Sequence, residues 1–457
     1  MKKIKIILFL GVIVFAIIRC NKAYEFPDDG YDDRLSGGAA TIFDATSKAF
    51  THPVDGLSTR DLQVHELGDA SFEQTFVSAP APVHSGLGPI FNNVSCISCH
   101  HNDGKGTPTA GFNNSSLLIR VSLPGEDATG APLSIPGFGF QLQDQSVFSS
   151  TPEAHVNITY TDVPVTYPDG TIVTLRKPTY TIVNPYIPLP AVYNISPRMA
   201  PPVFGLGLLE DIPESTILSF ADADDKDGDG ISGKPNYIYD TLSKKEDLGR
   251  FGLKANTINI LHQAAFAYQQ DMGVTNYVAP KESSDGELQD DKRNDDPELP
   301  DSILNAVAFY VKTLAVPARR NVTDPDVQAG EKIFTQIQCA KCHIPTIQTG
   351  VDLTTPQLSN QRIHPYTDLL LHDMGDGLAD GRPDYLATGS EWRTMPLWGI
   401  GLFPKTNGTA FYLHDGRART IEEAILWHDG EAKKSKDQFM NLNKTDRDKL
   451  IKFLNSL

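Results

Sequence analysis

Four of the five cysteines in this 457-residue chain fall in two copies of one pattern, C-x-x-C-H. Cys96, Cys99 and His100 stand in "CISCH", and Cys339, Cys342 and His343 in "CAKCH". Two thiols about one helical turn apart can add to the two vinyl groups of a single haem, and the imidazole that follows can reach the iron from the same face. A zinc site would leave the fixed histidine unexplained, and a redox C-x-x-C is the other alternative. The motifs therefore imply two covalently bound haem c groups, with His100 and His343 as axial iron ligands.

Such motifs need helices to frame them. In "AGEKIFTQIQCAKCH", Gly330 and Phe334 sit at i and i+4 on an expected helix leading into the second motif, an arrangement similar to small c-type cytochromes, where glycine permits a close helix crossing. "LGDASFEQTF" repeats the spacing with Gly68 and Phe72. A second helix is expected to close each unit, "DSILNAVAFYVKTL" ending at Leu314 and "KTDRDKLIKFLNSL" ending at Leu457, the latter with Thr445 as N-cap. The two prolines of "AVPARRNVTDPDVQ" mark a linker. The reading is mainly α, with two cytochrome c-like helical haem domains at 40–320 and 321–457. Residues 121–200 read as a β-containing insertion in the first, because "VPVTYPDGTIVTLR" alternates around a Pro-Asp-Gly turn. No chemistry is expected of it.

Lys2, Lys3 and Lys5 precede the uncharged run Ile6–Ile18, which is shorter than the roughly 20 residues of a spanning helix. Residues 1–20 read as a secretory signal, with Cys20 as a lipid-acceptor cysteine. Arg19 departs from the usual small residue before such a cysteine, so an uncleaved anchor and an incidental cysteine are the alternatives. Each places the body outside the cytoplasm, periplasmic or on the cell envelope. The formal charge of −17 repels nucleic acid and favours a basic partner.

"GLGPIFNNVSCISCHHNDGKG", "APPVFGLGLLE", "GRFGLKA", "QDMGVTN", "PLWGIG" and "LHDGRARTIEEAILWHDGEA" together resemble the di-haem oxidoreductase and peroxidase family, also labelled thiol oxidoreductase, from about residue 40 to the C-terminus. More distantly the chain is similar to bacterial di-haem cytochrome c peroxidases and to the enzyme that matures a tryptophylquinone. The resemblance implies a division of labour. One haem keeps an open position for hydrogen peroxide, and the other relays electrons from a donor protein such as a small cytochrome. In the peroxidases the relay haem's second ligand lies 14 residues after the "HDG" histidine. Here His414 begins "HDGRA" and His428 stands at that distance, with Met395 of "TMPLWG" as rival ligand. His414 itself reads as a turn-fixing residue beside the ligands.

For the first haem, Ser116 stands where some peroxidases carry a distal histidine, and His101 and His155 are unsuited to the opposite face, so an open iron is expected. "QDMG" puts Asp271 where the family's catalytic glutamate stands, either as the acid-base group or as a helix-end aspartate, and Gln263 matches a distal glutamine. The bridging tryptophan of the peroxidases has no counterpart, since Phe251 and Leu253 occupy its neighbourhood. Asp225, Asp227 and Asp229 alternate before Gly230, like the start of an EF-hand loop within 222–236. Asn236 replaces the bidentate glutamate, leaving a partial calcium site or a solvated turn. Two functions follow as expectations: an exported di-haem peroxidase-like oxidoreductase acting on peroxide or another oxidisable substrate, or a non-catalytic electron-transfer cytochrome.

Overall fold

The computed structural model describes residues 32–111 and 116–457; the signal segment and Cys20 lie outside the described residues. Helix boundaries follow local capping chemistry. Helix α1 (Thr59–Glu73) begins where the Ser58 hydroxyl oxygen accepts from the Asp61 N–H, and α2 (Ile260–Met272) where Asn259 accepts from His262. Gly273, at φ 69°, ends α2 with its N–H on the carbonyls of Gln269 and Tyr268. Pro300 precedes α3 (Asp301–Lys312), and Asp324 caps α4 (Pro325–Gln336), which has Pro325 in its first turn. The last helix, α6 (Lys444–Leu454), is capped by Asn443 rather than Thr445, because the Asn443 side chain accepts from the Asp446 N–H. A short helix, α5 (Ile421–Trp427), precedes it.

These helices pair around the two motifs in the same way. α1 packs on α3, and α4 on α6. A Cβ added at Gly68 would stand 2.2 Å from the Ala306 carbonyl oxygen, and one at Gly330 would stand 2.1 Å from that of Lys449. Each crossing is thus close enough to exclude any side chain. One turn later, the Phe72 ring lies 6.0 Å from that of His100, and Phe334 lies 6.4 Å from His343. The repeated Gly-x-x-x-Phe sets the crossing and then rests an aromatic ring against the motif histidine.

The expectation of a mainly α chain is corrected: helix accounts for 27% and strand for 20%, the strands forming many small sheets. The helices are confined to framing the motifs, while Pro- and β-branched-rich stretches are extended or irregular. β1 (Leu117–Glu126) pairs antiparallel with β4 (Asn194–Met199) and with the short strand Gln141–Leu142. Between them, β2 (His155–Thr166) and β3 (Ile172–Val183) form a hairpin closed through the Pro-Asp-Gly turn, with Gly170 at φ 84°. The hairpin docks on the C-terminal part of the chain. The Tyr180 hydroxyl donates to Asp415 at 2.8 Å, Tyr167 donates to Glu422 at 2.8 Å, and Arg447 pairs with Asp169 at 2.6 Å. In the stretch read as a linker, Ala315, Val316 and Ala318 are buried, and Val316–Pro317 pairs in parallel with Thr41–Ile42. Among the described residues no helix is long and apolar enough to cross a membrane.

Candidate functional site

Both motifs open onto one internal cavity of about 770 Å³. Cys96, Cys99 and His100 of the first motif and Cys339, Cys342 and His343 of the second all line it. Each motif is a single helical turn. The His100 N–H donates to the Cys96 carbonyl at 3.0 Å, and the His343 N–H to that of Cys339 at 3.0 Å. The four cysteines are free of disulfides, and burial pushes the Cys99 and Cys339 thiols up to about 12.

The two histidines share a second anchoring. His100 Nδ1 lies 2.7 Å from the Pro201 carbonyl oxygen, and His343 Nδ1 lies 2.9 Å from that of Tyr366. A proton on Nδ1 satisfies the carbonyl and leaves the Nε2 lone pair for a metal. Burial depresses both imidazoles to about 4, so they stay neutral and ligand-competent at physiological pH. His428, at the end of α5, repeats the arrangement, with Nδ1 2.7 Å from the Ala424 carbonyl oxygen, and it lies near enough to His343 to lower that imidazole's proton affinity further. Met395 also lines the cavity, with its Sδ accepting from Arg393 Nη2 at 3.1 Å. The donor set and the largely apolar space fit haem at both motifs.

α2 forms another wall. Ile260, Gln263, Ala264, Ala267 and Asp271 face the cavity, the alanines leaving room beside a flat macrocycle. Asp271 and Gln263 are about 12 Å apart along the axis. Burial raises Asp271 to about 6, against the opposing effects of the Gln141 hydrogen bond and the Arg120 charge. Gln141 Nε2 donates to Asp271 Oδ1 at 2.7 Å. The insertion therefore supplies a residue to the site, which no sequence signal announced. The Gln263 Oε1 is buried with no partner among the described residues.

His101, Ser116 and His155 do not line the cavity; Phe251 and Leu253 do. An indole enters it as well. Trp392, on β6 (Glu391–Arg393), lines the cavity and stacks on His414 with centroids 3.8 Å apart. β6 also touches the neighbourhood in which the aromatic was sought, because the Arg393 N–H donates to the Leu253 carbonyl at 2.9 Å. His414, rather than only fixing a turn, is buried in the cavity wall, and desolvation holds it near 4.

On the second motif's side, His372 of β5 (Leu371–Asp373) bridges two carboxylates, with Nε2 2.8 Å from Asp368 and Nδ1 2.7 Å from Glu431. Its Nδ1 is also 3.6 Å from the Cys342 sulfur. Burial opposes its charge most strongly of any single effect, but Asp368 and Cys342 together, through charge and hydrogen bonding, raise its proton affinity well above the ordinary range. In the acidic loop, carboxylate oxygens of Asp222, Asp225 and Asp227 lie within 4.8 Å of one another. Asp229 instead meets Lys341, inside the second motif, at 2.9 Å.

A family model described as "Di-haem oxidoreductase, putative peroxidase" matches residues 31–457. No curated protein matches the chain. Among solved structures, a xenon-pressurized hydrazine synthase from Kuenenia stuttgartiensis aligns at 20% identity and a TM-score of 0.25, over 35% of this chain and 56% of that one.

Proposed function

As the chain belongs to the di-haem oxidoreductase family, we propose that it is an exported c-type enzyme that reduces hydrogen peroxide, or uses it to oxidise a substrate, at the first of two covalently held haems. The observation that carries this reading is the single cavity bounded by both C-x-x-C-H turns, with each motif imidazole fixed through Nδ1 and left neutral. Cys96 and Cys99 would hold one haem with His100 as ligand; Cys339 and Cys342 would hold the other with His343 and His428. When bound, the haem irons supply a peroxide-accepting centre and a store for electrons.

The chain's own groups do the rest. His428 is favoured over Met395 because its Nδ1 is anchored like those of the motif histidines, whereas the Met395 sulfur is engaged by Arg393. Asp271, near 6, is ionised at neutral pH yet close enough to neutrality to accept a proton from one peroxide oxygen and return it to the other. Gln141 fixes its Oδ1, so Oδ2 is the oxygen that exchanges the proton. Gln263, about 12 Å from Asp271 along α2, presents an unpartnered Oε1 in the buried wall and accepts a hydrogen bond at another part of the cavity, away from the peroxide that Asp271 serves.

Export and lipid attachment at Cys20 belong to the same reading, supported by the Lys-flanked run Ile6–Ile18. So does a basic electron-donor protein, supported by the charge of −17. Calcium at the Asp222–Asp227 carboxylates would steady the loop that clasps Lys341. The test is haem per chain in alkaline pyridine and peroxide turnover, for the wild type and for Cys96→Ala/Cys99→Ala and Cys339→Ala/Cys342→Ala. Two haems falling to one in each variant, with peroxide turnover lost when the first motif is removed, would support the assignment. One haem or none in the wild type would defeat it.

A further inference from the structure

Four guanidinium groups line the cavity, those of Arg120, Arg198, Arg382 and Arg393. Arg198 and Arg382 share the Asp384 carboxylate, the second at 2.6 Å. Arg120 stands half-buried at the wall. Arg393 is different, because it is 5% exposed and yet has only neutral partners. Its Nε donates to the Gly252 carbonyl at 2.8 Å and its Nη2 to the Met395 sulfur at 3.1 Å. Nη1 is buried with no partner, and among the described residues no carboxylate lies within ion-pair distance of this side chain. The acidic group that acts on it from further away, Asp368, is already committed to His372.

A buried cation without an anion is costly, and proteins avoid it by pairing the charge. The two protons of Nη1 and the second proton of Nη2 are still to be satisfied, and the Nη1–Nη2 end of the plane can take a carboxylate end-on. Position identifies the carboxylate. Asp368 acts electrostatically on Arg393 and also on His343 and Cys342, and the Arg393 Nη2 holds the Met395 sulfur, so Arg393 belongs to the second motif's side of the cavity. A haem joined to cysteines through its vinyl groups carries two propionates elsewhere on its rim.

We propose that Arg393 binds a propionate carboxylate of the haem held at Cys339 and Cys342, and so sets that haem's reduction potential. This rests on the proposed function, since it needs a haem at the second motif. Neutralising one propionate favours the reduced iron, so losing the guanidinium lowers the potential of this haem alone.

The experiment is a spectroelectrochemical titration of the full haem-loaded protein as wild type, Arg393→Gln and Arg393→Lys, each at low and high chloride and phosphate. The haem count is taken first. Fewer than two haems in the wild type would sink the proposed function itself, and this inference with it. With both haems present, the expected result for Arg393→Gln is a fall in one midpoint equivalent to at least a tenfold change in the oxidised-to-reduced ratio, about 59 mV for a one-electron couple. The other midpoint stays put, Arg393→Lys retains most of the wild-type value, and added anions leave the wild type unmoved. Unchanged midpoints in Arg393→Gln would overturn the inference. So would an upward shift, which would mean that Arg393 serves only to restrain Met395. If the glutamine variant fails to fold, the wild type still decides: midpoints that follow chloride or phosphate would show a free anion in place of the propionate.

Discussion

Replacing Asp271 with asparagine separates what this carboxylate does for chemistry from what it does to stability. Holding the group at about 6, against an ordinary value of 3.8, corresponds to roughly 3 kcal/mol at 1.36 kcal/mol per pH unit. Between those two pH values the folded chain keeps a proton that the unfolded chain has released, so stability falls as pH rises through the window. Above pH 6 the full cost of the buried charge is present. Asparagine removes that charge and keeps an oxygen to accept from Gln141 Nε2, so Asp271→Asn should be more stable than the wild type by about 2 kcal/mol at pH 7.5. That is roughly 2 °C in a chain of this size. The difference should shrink to about 0.5 kcal/mol at pH 4, where the folded carboxyl is neutral and the unfolded one is about half ionised, and vanish below about pH 3. Peroxide turnover should fall by about 10²- to 10⁴-fold. Thermal melts at pH 4, 5.5 and 7.5 with parallel turnover assays read both effects. A stability difference that does not vary with pH, or a variant less stable at pH 7.5, would refute the reasoning.

Other perturbations test the frame. Gly330→Ala gains about 1 kcal/mol of helix propensity but drives a methyl to 2.1 Å from the Lys449 carbonyl oxygen, so a net loss of roughly 2 kcal/mol is expected in urea melts. Gly68→Ala should behave alike, with its methyl 2.2 Å from the Ala306 oxygen, and a neutral outcome at either position would contradict the close crossings. Lys254 is fully buried with Nζ 2.9 Å from Asp380, so Lys254→Met should cost about 3–5 kcal/mol by stranding that carboxylate. Lys254→Met/Asp380→Leu should recover most of the loss, and a double variant no better than the single would refute the pairing.

The parts legible in the sequence were those written in short spacings. C-x-x-C-H marks the motif turns, and Gly-x-x-x-Phe marks both helix crossings, because each is fixed by contacts within a few residues or by one repeated face of a helix. The hairpin's alternation was equally local, but its role was not. Tyr180 and Asp415 are 235 residues apart, and Asp169 and Arg447 are 278 apart, so nothing near either partner signals the docking. Gln141 was missed for the same reason: its importance comes from Asp271, 130 residues away. The mainly α expectation extended the character of the motif-framing helices to long stretches that are extended or irregular. The indole was sought near residue 251, whereas β6 carries Trp392 into the cavity, and Arg393 and His372 gain their positions only when β5 and β6 pair.

The central claim is a cavity with one open haem and one closed by two histidines. Electron paramagnetic resonance of the oxidised, haem-loaded protein, repeated after one-electron reduction and with His428→Ala, tests it most directly. The expected result is a high-spin signal from the first haem in at least one redox state, and a low-spin bis-imidazole signal from the second that disappears in the variant. Two haems that stay low-spin and six-coordinate in both redox states would contradict it.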